Sequence, residues 1–171
     1  IDLHCHMLPG VDDGAAAEEE ALLMAQVAVD SGVTDVALTP HCNVPEQFDN
    51  YNDHRLRERF RRFEQLVRQE GIPLTLHRGM EVFATPELPR LLDDGALLTL
   101  GGSRYLLVEF AFGESPWFAD DMLRVKNFVP AISLEGFEEA TDSRRGDGVY
   151  GKATHAMNLL RERKLLYGIS S

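Results

Sequence analysis

Histidines and carboxylates are concentrated in a few short stretches of this sequence. "IDLHCHMLPGVDDG" places His4 and His6 two residues apart, with Cys5 between them and Asp12 and Asp13 in the following turn. On an extended chain, residues two apart leave the same face, so His4 and His6 can offer two imidazoles to one ion such as Zn²⁺, Mn²⁺ or Fe²⁺. A His-x-His pair also occurs on ordinary polar strand faces, so by itself it is not decisive. His41 closes "ALTPH", Glu81 lies in "HRGMEVF" and Glu109 in "LLVEFAF". The two glutamates interrupt apolar segments, where a carboxylate needs a cation or a strong hydrogen bond. Arg78 and Arg104 are the neighbouring candidates for a purely structural ion pair. One of Asp12 and Asp13 can face a site while the other caps the turn. Cys5 is expected to face away from His4 and His6, and Cys42 to stay out of the site. Neither begins a Cys-x₅-Arg phosphate loop, which argues against catalysis through a phosphocysteine. His54, His77 and His155 are expected to be non-ligands.

These residues need elements to position them, and the sequence alternates strand and helix. "IDLHCH" reads as a strand and Ala15–Ser31 as a helix ended by Gly32. "VTDVALTPH" is a strand, Asn52–Gln69 a helix, "IPLTLHRGMEVF" a strand and "PELPRLLDDG" a short helix. "SRYLLVEFAF" (strand), "SPWFADDMLRVKN" (helix), "FVPAIS" (strand), Lys152–Lys164 (helix) and "LLYGIS" (strand) follow. Such alternation predicts parallel strands with helical crossovers, whose functional residues collect at the C-terminal strand ends. His4 and His6, His41, Glu81 and Glu109 fall at four consecutive strand ends, a stronger signal than any one motif. "SLEGFEEATDSRRGDGVYG" reads as a polar loop, unusually long for a compact domain.

The formal charge of −11 disfavours nucleic acid as a partner. The arginines between His54 and Arg62 alternate with apolar residues at helical spacing and read as a solvated helix face. No apolar run approaches the roughly 20 residues of a bilayer-spanning helix. No leader is evident, and both cysteines read as free thiols, so a cytoplasmic protein of one domain is expected.

The ordered set "DLHCHMLPGVDDG", "ALTPH", "GMEVF", "LTLGGSRYLLVEF" and "LLRERKLLYGISS" resembles the PHP (polymerase and histidinol phosphatase) superfamily. Within it, the set is most similar to the bacterial manganese-dependent protein-tyrosine phosphatases of capsule and exopolysaccharide biosynthesis. "LHCHMLPGVDDG" and "SRYLLVEF" are specific to that branch, and the likeness covers about residues 1–133 and then about the last twenty. The resemblance implies a distorted (β/α)₇ barrel of the PHP type around three divalent metals, Mn foremost, with Fe or Zn as alternatives. It implies that His4 and His6 hold one metal, that Glu81 bridges to a second also bound by Glu109, and that Asp13 and His41 hold the third. Asp12 then becomes a turn or supporting residue. The implied activity is phosphomonoester hydrolysis by metal-activated hydroxide, with phosphotyrosine protein as substrate and a bacterial tyrosine kinase as a candidate partner. Another PHP phosphoesterase (a histidinol-phosphate phosphatase or a nuclease) and a non-catalytic metal- or partner-binding module are the alternatives.

The sequence departs from the family pattern in two places. "VPAISLEGF" lacks the histidine and Glu-Arg expected after that strand, and the Asp-x-His expected beyond "LLYGISS" is not in the sequence. The expectation is therefore a single PHP-like domain over residues 1–171 that lacks internal and C-terminal segments, with its phosphate-binding arginine and further ligands among them.

Overall fold

The computed structural model describes residues 1–109, 131–134, 136–165 and 167–170. They fall in two compact units, Ile1–Phe112 and Gly113–Ser171. In the first unit, β1 (Asp2–Cys5), α1 (Glu18–Asp30), β2 (Asp35–Leu38), β3 (His41–Cys42) and α2 (His54–Gln69) follow in order. Then come β4 (Thr75–Arg78), β5 (Glu81–Phe83), α3 (Leu88–Asp93), a 3-10 turn at Leu100–Gly102 and β6 (Leu107–Glu109). Every strand pairing is parallel, as the alternation predicts, in two three-stranded sheets ordered β1-β2-β4 and β3-β5-β6. Among the described residues no sheet closes into a barrel.

The segments "VTDVALTPH" and "IPLTLHRGMEVF" are each expected to be one strand, and each is divided. β2 stops at Leu38 and β3 starts at His41; β4 stops at Arg78 and β5 starts at Glu81. The two breaks lie side by side, because Leu38 pairs with Arg78 and His41 pairs with Glu81. Pro40 has no N–H to give the ladder. Gly79 is tightly enclosed, since a Cβ there would lie 3.0 Å from Leu100 Cδ2 and 3.3 Å from Thr39 Cγ2, and either side chain would have to shift. Across the break, Gly79 N donates to Leu38 O (3.0 Å) and Glu81 N to Pro40 O (3.1 Å). The buried Thr39 joins it to β1: its N donates to Cys5 O (2.9 Å) and its hydroxyl accepts from Cys5 N (2.9 Å). The chain thus leaves one sheet and enters a second without changing direction.

The core packs α1 and α2 against these strands. Ala21 and Ala25 of α1, and Leu56, Phe60, Phe63 and Val67 of α2, meet Met7, Leu8, Val36, Leu38, Met80 and Val82. The spacing of the four apolar residues of α2 defines one helical face. The Asp53 carboxylate starts this helix by accepting from Leu56 N (2.9 Å). Arg55, Arg57, Arg59, Arg61 and Arg62 are exposed, in line with the solvated face read from the sequence.

In the second unit β7 (Ala131–Ser133) pairs in parallel with β8 (Gly168–Ser170). Between them lie α4 (Glu138–Arg145) and α5 (Val149–Glu162). The polar stretch read as a loop therefore contains a helix. Glu138 and Glu139 occupy its first turn and Arg144 and Arg145 its last, the arrangement the helix dipole favours. The Asp142 carboxylate accepts from Gly148 N (2.8 Å) and Tyr150 N (2.7 Å), tying α4 to the start of α5. The helix expected over "SPWFADDMLRVKN", and the parts of the neighbouring strands that fall within 110–130, lie outside the described residues. Among the described residues no helix is long and apolar enough to cross a membrane.

Phe60 is fully buried at the centre of the α2 face. Phe60→Ala is expected to lower unfolding stability by about 3–5 kcal/mol, read from the urea midpoint. Burial pushes the Cys42 thiol up to about 12. Alkylation of Cys42 by iodoacetamide at pH 8 is therefore expected to be slow in the native protein and fast in urea.

Candidate metal centre

The second sheet and the end of β1 carry the chemistry. β1 delivers His4, and His6 follows it; β3, β5 and β6 deliver His41, Glu81 and Glu109; the β1–α1 loop delivers Asp12 and Asp13. His4 Nε2 and His6 Nε2 lie 3.0 Å apart, and Glu81 Oε2 lies 3.0 Å from the first and 3.1 Å from the second. His41 Nδ1 is 3.3 Å from the same Glu81 oxygen and 3.4 Å from Glu109 Oε2. Its Nε2 faces the other way, 3.6 Å from Asp13 Oδ1. Three overlapping groups of donor atoms result: His4–His6–Glu81, His6–Asp13–His41 and His41–Glu81–Glu109. All six residues nominated from the sequence are brought together. Two groupings differ from the expectation: His6 joins Asp13 and His41, and His41 also joins Glu81 and Glu109.

The other nominations separate cleanly. Among the described residues, none of the three groups contains Cys5, Cys42, His54, His77 or His155. His77 Nε2 lies 2.9 Å from Asp35 Oδ1. Arg78 makes a two-pronged pair with Glu64 (2.8 and 3.0 Å), and Arg104 packs on Tyr105. Neither arginine neutralises Glu81 or Glu109.

These donors fit divalent cations better than they fit one another. Three imidazole nitrogens converge on one oxygen of Glu81, more than its two lone pairs can accept as hydrogen bonds. His41 Nδ1 is buried and has no hydrogen-bond partner. The contacts to Glu81 and Glu109 are close enough for attraction but do not have hydrogen-bond geometry. Two ligands at about 2.1 Å from a common ion are about 3.0 Å apart at an octahedral angle and about 3.4 Å apart at a tetrahedral one. The His4–His6–Glu81 triangle, with edges of 3.0, 3.0 and 3.1 Å, matches an octahedral face.

Charge is strongly coupled here. Burial works against ionised Glu81, but hydrogen bonds from His4 and His6 outweigh it and bring the carboxyl down to about 2. Burial and the nearby Glu81 charge raise Glu109. Burial disfavours charged His6, yet its contacts with Asp12 and Glu81 lift it to about 10.

Asp12 braces the ligands. Its side chain is fully buried. Oδ2 lies 2.8 Å from His6 Nδ1 and accepts from His41 N (3.0 Å), while Oδ1 accepts from Gly14 N (3.0 Å). Burial opposes its ionisation, and these bonds overcome it, lowering its pKa. Because a carboxylate only accepts, His6 Nδ1 carries a proton in either charge state, so a cation that displaces the second proton would find the Nε2 lone pair aimed at the site. Gly14 must be glycine, since a Cβ would collide with the His6 carbonyl and Cβ. Phe48 stacks on His41 with ring centroids 5.5 Å apart and planes at 9°. Asn50 joins Val11 O to His41 O. Sequence reasoning does not single out Phe48 or Asn50, because they lie in a loop without periodicity and neither is a metal-ligand type.

Comparison with known proteins agrees with this arrangement. Residues 1–140 match the family described as "Capsular polysaccharide synthesis, CpsB/CapC". The chain is 32% identical over 136 residues to the tyrosine-protein phosphatase YwqE of Bacillus subtilis, covering 78% of this chain and 53% of that protein. It is 27% identical over 120 residues to the tyrosine-protein phosphatase CpsB of Streptococcus pneumoniae, covering 67% and 46% respectively. A solved structure is similar with a TM-score of 0.72 at 27% identity, covering 98% of this chain and 65% of its own. That work describes YwqE and CpsB as "unique metal-dependent tyrosine phosphatases". The chain spans about half the length of the curated relatives it matches.

The bracing by Asp12 has a measurable consequence. Asn at this position turns one of the two acceptor oxygens into a donor that faces other donors. Asp12→Asn is expected to weaken Mn²⁺ binding about 10–100-fold, measured by calorimetric titration.

Proposed function

The chain belongs to the CpsB/CapC family of capsular polysaccharide synthesis, and from that membership we propose that it is a metal-dependent phosphatase acting on phosphotyrosine in proteins. The observation that carries the reading is the convergence of His4, His6, His41, Glu81, Glu109 and Asp13 at distances suited to several cations. In this proposal His4 and His6 hold one ion, Glu81 is shared with a second that Glu109 also binds, and Asp13 and His41 hold a third. Mn²⁺ suits the octahedral edges best, with Fe²⁺ and Zn²⁺ as competitors. The fold proposed is the PHP-type distorted (β/α)₇ barrel, with residues 1–171 part of a single domain, and the all-parallel pairing supports it. Action in the cytoplasm on a bacterial tyrosine kinase belongs to the same proposal.

When bound, such ions acidify a coordinated water enough to supply a nucleophile at neutral pH and polarise phosphoryl oxygens. The chain's own residues do the rest. Asp12 keeps the His6 proton on Nδ1, and Glu81 presents one oxygen to three imidazoles. Three divalent ions outweigh the charge of Asp13, Glu81 and Glu109, so the centre attracts a phosphate dianion despite the acidic surface. The cysteines are poor nucleophiles. Burial lifts Cys5 to about 11 and Cys42 to about 12, the opposite of an activated thiolate.

Glu81→Gln, assayed on a phosphotyrosine peptide with Mn²⁺ supplied, is expected to lose about a hundredfold or more in kcat/KM. Unchanged turnover overturns the site assignment. EDTA is expected to abolish activity and added Mn²⁺ to restore it. Faster turnover of histidinol phosphate or single-stranded DNA than of the peptide moves the activity elsewhere in the superfamily. Elemental analysis that finds no metal in the protein favours a non-catalytic module.

A further inference from the structure

The loop between β3 and α2 returns to the centre at one residue that the reading above does not use. The Asn50 side-chain nitrogen donates to Val11 O (2.8 Å) and to His41 O (2.9 Å). An amide nitrogen has two hydrogens, and each here goes to a different ligand-bearing segment. One acceptor lies two residues before Asp13 and the other belongs to His41 itself. Both acceptors are carbonyls, so only a donor can sit between them, and this chemistry orients the Asn50 amide.

We infer that Asn50 is a positioning residue that sets the spacing of Asp13 and His41, and with it the affinity of the ion they hold, while leaving the His4–His6–Glu81 group alone. This inference rests on the metal reading proposed above. Asp13 needs such help. Its side chain is 70% exposed, and it approaches His41 Nε2 only to 3.6 Å. Its place is therefore set by the course of its loop. Two cross-links fix that loop against His41: Asp12 bonded to His41 N, and Asn50 bonded to His41 O. Asp12 also holds His6, so changing it disturbs more than one ion. Asn50 bonds only to two main-chain carbonyls, those of Val11 and His41, and in the assignment proposed above, where His41 Nε2 and Asp13 hold one ion, it should act on that ion. Without its donors, the two carbonyl dipoles face each other unbridged and the loop moves off.

The test uses the full chain with Asn50→Ala, Asn50→Asp and Asn50→Ser, and Asn52→Ala as a control whose amide donates to Gly95 O in the same region (3.1 Å). Mn²⁺ is titrated calorimetrically, retained metal is counted by elemental analysis, and the melting temperature is measured in EDTA. In the Ala and Asp variants, one class of Mn²⁺ site is expected to weaken about 10–100-fold while the rest change less than about threefold. Asp keeps the shape of Asn and lacks the donors, so it is expected to behave like Ala. Ser retains one donor and is expected to fall between. Melting in EDTA is expected to stay near wild type. A wild-type Mn²⁺ profile in Asn50→Ala overturns the inference and leaves the phosphatase reading standing. Parallel weakening of all sites with a lower melting temperature in every variant also overturns it, since that is a merely structural role. A wild-type protein that binds no Mn²⁺ overturns the metal reading, and the inference with it.

Discussion

One buried carboxylate, that of Asp12, is the contact on which the centre depends. A charge with no solvent exposure is costly unless every lone pair is used. Here it meets donors from three places in the chain: the His6 ring, the His41 main chain and the Gly14 main chain. Those bonds keep Asp12 ionised and, in return, determine where the loop, β1 and β3 lie relative to one another. Gly14 follows from the same constraint, because the loop doubles back against His6 too closely for any side chain. The ligand residues take their positions from a residue that is not itself in any of the donor groups.

Around this brace, the donors are arranged with more negative potential than they can relieve among themselves. Glu81 and Glu109 face a common histidine, and burial together with the Glu81 charge raises Glu109. Three imidazoles crowd one Glu81 oxygen, and the buried His41 Nδ1 is left without a hydrogen-bond partner. The arginines that might have relieved it are engaged elsewhere: Arg78 with Glu64 on α2, Arg104 with Tyr105. Among the described residues no arginine or lysine pairs with Glu81 or Glu109, and a site so left is suited to accept mobile cations.

Much of this was legible in the sequence, for reasons that vary by residue. His4 and His6 follow from strand parity, and Glu81 and Glu109 stand out because a carboxylate in an apolar strand needs explaining. The helix at α2 follows from Leu56, Phe60, Phe63 and Val67 at helical spacing. Three features were not legible. Each split strand reads as one strand, since a break shows only when Pro40 and Gly79 are placed side by side by pairing. The α4 helix is hidden because it is highly polar, with Thr141 as its buried contact. Asn50 is hidden because its hydrogen bonds join segments that lie far apart in the sequence, and a polar loop carries no period that reports where it returns. The structural ion pair offered as the alternative for the two glutamates is not formed by Arg78, which pairs instead with Glu64 on α2.

The paired breaks at Thr39–Pro40 and Gly79–Met80 divide the strands of the first unit between two sheets. On one side lies a sheet of four-residue strands, which carries His4 of the candidate ligands. On the other lie strands of two or three residues, too short to be stable alone, that borrow their alignment from it. The short strands hold three of the candidate ligands, His41, Glu81 and Glu109, and His41 and Glu81 stand directly beside the buried Cys42 and Val82. In the two strands that follow the breaks, the side facing the donors and the side facing the core are therefore one residue apart, and a shift of register by one would exchange them.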